Sequence, residues 1–428
     1  MPRAGRSAAG RPRLSGPRHP CEHSPVTLIL GLSLLVLFLI GLGLVEYAVH
    51  RRNLASIPIR IHVNGTRGKS SVVRLVAAAL RAHGIVVYAK TTGSLARMIA
   101  ADGTEFTIHR PGLTNVIEQR RIIGVAAAER AEAIVLECMA LQPKLQSLCE
   151  LKLIRSTHGV ICNARPDHLE VMGPTERDVA LALLGTCPVN GTLFTAEREH
   201  LPLFEEACRD RGSKLVALGP EQADEISDEE MERFAYIEHK DNVALALAVA
   251  RDLGIPRHVA LNGMLHARPD VGALREIELE FFGRRVVFVN GFAANDPVST
   301  ERIWNLTLAR NPQARTRILV INCRLDRPDR SRQLGEVLPS WAPAHHYLLV
   351  GTGTYALART AVAAGLRPTL LTPLEGESSP AVFEEILGAC GRNSLVMGAG
   401  NIAGVGLDLL KFFQNRATPR AEGEADAA

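Results

Sequence analysis

From Val26 to Val45 every position is apolar or is Gly, Ser or Thr, with no polar stripe of the kind a helix packed on a soluble core carries. Twenty such residues, rising 1.5 Å each, cover about 30 Å, the thickness of a bilayer core. The pattern predicts one transmembrane helix over 26–45. The run is too long for the apolar part of a cleaved signal peptide, and Glu46, Tyr47 and His50-Arg51-Arg52 follow it directly. Residues 46–56 read as a short polar linker.

Past the linker the period changes. Ile57-Pro58-Ile59-Arg60-Ile61-His62-Val63 alternates as a strand does, and a glycine-bearing turn follows. Lys69–Ala82 then reads as a helix that turns Val72, Val73, Val76, Ala79 and Leu80 inward and closes at Gly84. Further strands are expected at 85–88, 133–136 and 159–162, with helical stretches between them. Pro and Gly in Arg268-Pro269-Asp270-Val271-Gly272 interrupt the pattern. The rhythm then restarts with apolar runs at 286–289, 318–321, 347–350, 369–371 and 394–397. Strands alternating with helices predict an α/β protein built on parallel, doubly wound sheets.

Composition narrows the function. The chain has 428 residues, 46% hydrophobic and 22% charged, enough apolar surface for two or three cored domains and too much for a disordered chain. The expected divisions are a basic tail at 1–25, the helix at 26–45, a central domain at 57–270, a smaller C-terminal domain at 271–412 and a disordered acidic tail at 413–428. The formal charge is +4, but Arg3, Arg6, Arg11, Arg13 and Arg18 against Glu22 place all of it in the first 25 residues. The rest of the chain is neutral, so no nucleic-acid partner is expected. Eight cysteines without a C-x-x-C spacing read as buried thiols, not a disulfide or zinc framework.

The strongest chemical signal is Val63-Asn64-Gly65-Thr66-Arg67-Gly68-Lys69-Ser70-Ser71, set between a strand and a helix. Glycines let backbone N–H groups turn toward phosphate oxygens, and the helix N-terminus adds its dipole. Lys69 would reach the β- and γ-phosphates and the Ser70 hydroxyl would take a Mg²⁺ position. A common phosphate loop carries a glycine where Val63 stands. Here the first is Gly65, giving the compact form G-x-x-G-K-S. Two further clusters sit at the ends of expected strands: Glu137, after Ala133-Ile134-Val135-Leu136, and Asp167-His168 within Asn163–Glu170. Strand carboxyl ends line the ligand crevice of a parallel sheet. Glu137 and His168 are therefore placed with Ser70 as metal ligands, and with Lys69 as the catalytic set, because hard oxygens plus one imidazole suit Mg²⁺ shared with phosphate. Taken singly, a glutamate at a strand end also suits a solvated rim.

The compact loop, Glu137 and the N-x-x-x-D-H-L-[DE] stretch resemble the Mur-ligase superfamily. Adding Thr91-Thr92-Gly93, Glu137-Cys138-Met139-Ala140, Val171-Met172-Gly173-Pro174, Asn290–Asp296, Asn322-Cys323-Arg324 and Gly398–Ile402, the chain from about residue 26 to 412 resembles the ligase subunit of poly-γ-glutamate synthases (PgsB/CapB type). That resemblance implies a Mur-ligase-like phosphate-loop domain, a Rossmann-like C-terminal domain, and ATP and Mg²⁺. It implies nucleotide contacts from Gly65, Thr66, Gly68, Lys69, Ser70, Ser71, Asn242 and Arg268, and an acceptor site at Asn295, Asp296 and Ser299. Asn242 equally suits a helix N-cap. Many Mur ligases bridge two metals with a carbamylated lysine shortly after the D-H-L-D stretch, but no lysine lies between Lys152 and Lys214 here.

The implied reaction activates a carboxylate as an acyl phosphate and joins glutamate through γ-amide bonds, extending poly-γ-glutamate for a capsule or for release. An anionic acid meeting an anionic nucleotide calls for cations, with Arg67, Arg97, Arg110 and Arg165 as candidates. A nucleotide site needs cytosolic ATP, which places the body on the cytoplasmic side of the cell membrane behind a single span, against the pull of the arginine-rich tail. The family also implies multi-span membrane subunits as partners. The competing reading is a membrane-tethered phosphate-loop NTPase that energises transport or assembly; Val63 argues against it and Leu136-Glu137 partly fits it.

Overall fold

One continuous helix, Pro25–Ser56, opens the described chain. Its Ile29–Ser56 portion is long and apolar enough to cross a membrane, and its most apolar stretch is wholly unburied. The linker expected over 46–56 is helical instead. Nothing in Glu46–Ser56 breaks a helix, and the stop comes from Pro58, which disfavours helical backbone at Ile57. This computed structural model describes residues 25–92, 96–110, 115–270, 274–281, 283–294 and 296–417. The expected tails therefore lie outside it, except that Pro25 opens the first helix and residues 413–417 are described, Phe413 and Gln414 closing the helix Val405–Gln414. The chain divides into two compact units between Arg52 and Asn53.

In the second unit, eight strands form the first sheet: β1 Ile59–Asn64, β2 Val87–Thr91, β3 Arg97–Ile99, β4 Glu105–Thr107, β5 Ala133–Glu137, β6 His158–Ile161, β7 Thr192–Thr195 and β8 Lys214–Ala217. They lie in the order β4-β3-β2-β5-β1-β6-β7-β8. The second sheet has six, β9 Glu276–Phe281, β10 Arg284–Asn290, β11 Thr316–Cys323, β12 His346–Gly351, β13 Leu371–Pro373 and β14 Asn393–Gly400, ordered β13-β12-β11-β14-β10-β9. Both sheets are parallel in the middle, but β2–β3, β3–β4 and β9–β10 pair antiparallel. The expected all-parallel sheets are thus mixed at their edges. β3 and β4 are three residues each, too short to show a period, whereas Glu276-Ile277-Glu278-Leu279-Glu280-Phe281 alternates plainly. The strand expected at 369–371 begins only at Leu371, because Pro368–Leu370 forms a 3₁₀ turn.

Position within the first sheet sets up the site. β1 lies between β5 and β6, and pairing aligns Val63 with Glu137 and Asn64 with Ile161. The carboxyl ends of these three strands therefore finish level, at the place where the chain switches from one side of β1 to the other. Val63 is fully buried in β1, and the strand runs on through Asn64, so the loop starts at Gly65. On one face the Lys69–Ala82 helix packs Val72, Val73, Leu75, Val76 and Leu80 against β1, β2 and β5, covered by the Lys240–Asp252 and Arg257–Leu265 helices. Each side chain so buried contributes about 1.5–3 kcal/mol.

The other face carries a buried ion pair. His62 Nδ1 lies 2.8 Å from Glu150 Oε2, and Glu150 Oε1 accepts from the Ser156 N–H and hydroxyl at 2.8 and 2.9 Å. Burial alone would lower the His62 pKa, but the neighbouring Cys138 and the hydrogen-bonded Glu150 carboxylate outweigh it and raise the imidazole to about 9. An unfolded histidine titrates near 6.5. The pair's stabilisation is therefore fully present below pH ~6.5 and is lost as pH rises through about 9. Detergent-solubilised protein is expected to lose on the order of 3 kcal/mol between pH ~6.5 and ~9 in urea unfolding. His62→Gln should flatten that slope; an unchanged slope would mean that His62 is neutral in the fold.

Candidate active site

The loop after β1 is held from below and from both sides. Asn64 donates from Nδ2 to Gln146 Oε1 (2.7 Å) and Thr186 Oγ1 (3.1 Å), while its Oδ1 accepts from the Gly65 N–H. Gly65 takes φ +135°, and a Cβ there would stand 3.0 Å from Cys162, so no side chain is tolerated. Asn163 laces the loop to the end of β6: its Oδ1 accepts from the Thr66 hydroxyl (2.7 Å) and the Arg67 N–H (3.0 Å), and its Nδ2 donates to the Arg67 carbonyl (3.2 Å). The Arg165 N–H donates back to Thr66 Oγ1. Gly68, at φ +84°, caps the Lys69–Ala82 helix. Lys69 Nζ donates to the carbonyls of Gly65 (2.5 Å) and Thr66 (3.3 Å), so the ammonium stands over the loop that would cradle a phosphate.

Glu137 meets this loop from β5. It is 2% exposed, and its Oε2 accepts from the Ser70 hydroxyl at 2.8 Å and the Thr92 N–H at 2.7 Å. Lys69, Ser70 and Glu137 are thus brought together as the sequence predicted. His168 is not joined to them by any hydrogen bond. It sits at φ +49° with Nδ1 3.2 Å from Glu170 Oε1 and Nε2 3.9 Å from Asp167 Oδ1. Burial pulls the His168 pKa down, against the field of Asp167. Among the described residues no three His, Cys, Asp or Glu side chains are grouped to hold a metal ion. The Ser70–Glu137 pair supplies two hard oxygens, which fits Mg²⁺ shared with phosphates and water and does not build an all-protein cage.

Two acids tie the sheets together. Arg67 Nη2 lies 2.9 Å from Asp296 Oδ2 and 4.0 Å from Asp167 Oδ2, and Arg330 Nη2 donates to Asp167 Oδ1 at 2.8 Å. Burial alone would raise the Asp167 pKa, but Arg67, His168 and Arg330 hold it below the usual carboxylate range. Asp296 also caps the Pro297–Arg310 helix, accepting from the Ser299 N–H at 2.8 Å. Asn295 lies outside the described residues.

Beside the loop is a cavity of about 210 Å³, lined from the first sheet's side by Arg67, Gly68, Ser71, Asn163, Arg165, Tyr236–His239, Asp241 and Asn242, and from the second by Ala293, Ala294, Ser299 and Arg302 among others. Asn242 is not an N-cap. His239 occupies that position, and Asn242, in the first turn, donates from Nδ2 to Glu238 Oε1 at 2.8 Å. A Cβ on Gly68 would come within 2.5 Å of Asn242 Oδ1, so the glycine is what lets this amide approach the loop. Arg268 lines a different cavity of about 330 Å³, with Arg74, Arg81, Asn262 and His266, and its carbonyl accepts from Arg74. Of the arginine candidates, Arg67 and Arg165 line the cavity beside the loop, while Arg97 pairs with Glu105 and Arg110 with Glu118. Sequence reading missed Glu238, Arg302 and Arg330. The signal for the last was available, since Arg324, Arg327 and Arg330 recur every three residues just past an apolar strand.

A glycine-bearing phosphate loop, a buried carboxylate on its serine and a second α/β sheet closing over it define the class, a Mur-type ligase. The Mur ligase middle domain matches residues 63–263. The fold agrees with solved folylpolyglutamate synthases: the bifunctional enzyme of Yersinia pestis, complexed with AMPPNP and Mn ion, has a TM-score of 0.64 at 14% identity, covering 86% of this chain and 92% of that one. The enzyme of Thermotoga maritima gives 0.59 at 14% identity, over 86% and 92%. The particular family comes from closer relatives. Residues 277–416 match the poly-gamma-glutamate synthase CapB C-terminal domain. The chain is 37% identical to the capsule biosynthesis protein CapB of Bacillus anthracis over 91% of its own length and 83% of that protein, and 35% identical to the PGA synthase CapB of Bacillus subtilis over 86% and 94%. The chain belongs to the CapB family of poly-γ-glutamate synthases.

Proposed function

We infer that the chain is an ATP-dependent amide ligase that joins glutamate units through γ-amide bonds, the chemistry of poly-γ-glutamate synthesis. The observation that carries the reading is the meeting of Ser70 and Thr92 on the buried Glu137 carboxylate, at the start of the helix whose first residue, Lys69, turns its ammonium back onto the loop carbonyls. A carboxylate resists attack by an amine until its oxygen becomes a leaving group, so ATP supplies a phosphoryl group and the amine then displaces phosphate. Loop N–H groups and Lys69 bind the β- and γ-phosphates and offset charge on the transferred phosphoryl oxygens. Ser70 and Glu137 would hold Mg²⁺, which adds positive charge at those oxygens when bound. His168 stands apart with Asp167 and Glu170, and we assign it to the rim of the site.

Arg67 is the cation that reaches from the loop toward the acceptor side, through its pair with Asp296. With Ser299 on the same helix cap, Asp296 marks the acceptor site we propose. Closure of the second sheet over the loop excludes water that would otherwise hydrolyse the activated acid. We further propose that the N-terminal helix anchors the protein in the cell membrane with its body on the ATP-containing cytoplasmic side. Multi-span membrane subunits are proposed as partners, since one helix cannot form an export path for a polyanion.

Purified full-length protein with ATP, Mg²⁺ and L- or D-glutamate is expected to release phosphate only when glutamate is present. Release that ignores glutamate would instead support an NTPase.

A further inference from the structure

The face of the first sheet that carries the His62–Glu150 pair is covered by two helices whose outer sides the proposed function leaves unused. Glu118–Ala128 lies beside Pro143–Leu148, which runs on into a π-helical turn at Cys149–Ile154. Inward they bury Ile122, Ile123, Ala126, Cys149 and Ile154 in one cluster with Ile134 and Leu136 of β5. Glu150 also turns inward, to His62. Both helices are thus held on the same sheet face and turn their outer sides the same way.

Those outer sides are apolar and basic at once. Leu141, Lys144, Leu148, Leu151 and Arg155 recur every three or four residues, the spacing of one helical face, and Ile117, Arg121 and Val125 do the same on the neighbour. The five apolar side chains of these stripes are between 38% and 48% exposed. Arg121, Lys144, Lys152 and Arg155 are exposed and, among the described residues, in no ion pair, with Glu129 opposing them. Soluble surfaces scatter large apolar residues singly; grouped apolar residues threaded with free cations are the composition of a surface that lies in a membrane interface.

The chain itself enters the body through this layer, because Leu54 and Ile57 are buried in the same cluster. Leu54 follows Val45, the last residue of the apolar run, by nine residues, about 14 Å of helix. The headgroup zone outside the acyl core is already roughly 5–7 Å deep. Resting on the membrane anchor proposed above, we propose that this two-helix face docks on the surface of the bilayer that the helix spans. Its leucines would lie at the headgroup boundary and its lysines and arginines on anionic headgroups. Ala133 and Val135 of β5 point the opposite way, into the cluster under the Lys69–Ala82 helix, so docking keeps the phosphate-loop helix clear of lipid.

The test uses full-length protein in phosphatidylcholine vesicles with and without phosphatidylglycerol, quenched by nitroxide-bearing lipid. Both native tryptophans, Trp304 and Trp341, are buried, so the unsubstituted protein gives the baseline for an added probe. Leu151→Trp and Val125→Trp place that probe on either helix. Tyr355→Trp, at an exposed position of the Thr354–Ala363 helix beside the second sheet, is the control. With the nitroxide at shallow acyl depth, both face probes should lose at least about half of the added emission in anionic vesicles, since an interfacial face sits about 5–10 Å into that boundary. The control should lose none. Adding Lys144→Glu and Lys152→Glu should cut the quenching of Leu151→Trp about twofold or more, because each basic residue adds to the attraction of anionic lipid. Face probes left unquenched in vesicle-bound protein, a control quenched as strongly, or charge reversal without effect would each overturn the proposal. So would emission that follows the protein-to-lipid ratio instead of nitroxide depth, the behaviour of a second copy on this face. An alkaline carbonate wash reports separately on the helix: protein that washes off defeats the anchor reading, while face probes quenched before the wash still carry the docked face.

Discussion

Replacing Lys69 by alanine should lower glutamate-dependent phosphate release by about 10³-fold or more while the protein still folds. The side chain projects from the first residue of the Lys69–Ala82 helix and, among the described residues, bonds only to carbonyls of the loop itself, those of Gly65 and Thr66. Its removal therefore deletes no contact between the sheet and its covering helices, and a change in unfolding midpoint of less than ~1 kcal/mol is expected. On the proposed mechanism, what is lost is a point charge facing the phosphoryl oxygens as they gain charge. Lys69→Arg should not restore full activity, since the planar guanidinium is larger and cannot sit over two carbonyls as an ammonium does. Synthesis retained in Lys69→Ala would remove the residue from any phosphate role.

How far the sequence could be read depended on the kind of signal. The compact loop, the helix from Lys69 and the strands ending at Glu137 and Asn64 were legible because strand, turn and helix periods follow one another there without a gap. Register then brought Glu137 to Ser70, a consequence of β1 lying between β5 and β6 that no local pattern records. The lacing of the loop by Asn163 was invisible for the same reason, since the contact spans 97 residues. Asn242 was ambiguous between cap and site until the helix start settled at Lys240. Glu238 went unnoticed because burial of a charged side chain leaves no mark on composition. Arg268 was assigned from resemblance alone, and the structure places it beside Arg74 and Arg81 of the Lys69–Ala82 helix, lining a different cavity from the one that Ser71 lines. The linker at 46–56 failed through a misjudged stop: polarity was read as a helix end, when helices end at proline and glycine and tolerate charge.

Glu137→Gln should separate catalysis from stability. The wild-type carboxylate is 2% exposed and, among the described residues, accepts from the Ser70 hydroxyl and the Thr92 N–H and forms no direct salt bridge. A buried charge without a bonded counter-ion is costly to hold, and a neutral amide of the same shape still accepts hydrogen bonds through its oxygen. The unfolding midpoint should therefore stay level or rise. Activity should move the other way. An amide oxygen is a far weaker ligand for a hard divalent cation than a carboxylate, so the Mg²⁺ concentration for half-maximal rate should rise at least tenfold and the saturated rate should fall by ~10²-fold. Glu137→Ala is expected to lose as much activity and, in addition, about 1–3 kcal/mol of stability, because the Thr92 N–H and Ser70 hydroxyl are left facing a void. A fall in stability shared by both variants with an unchanged Mg²⁺ titration would make Glu137 a brace for the Ser70 and Thr92 backbone and not a ligand. The opposite pattern, a stable Glu137→Gln protein that answers only to high Mg²⁺, ties the carboxylate to the ion that the loop and the nucleotide share.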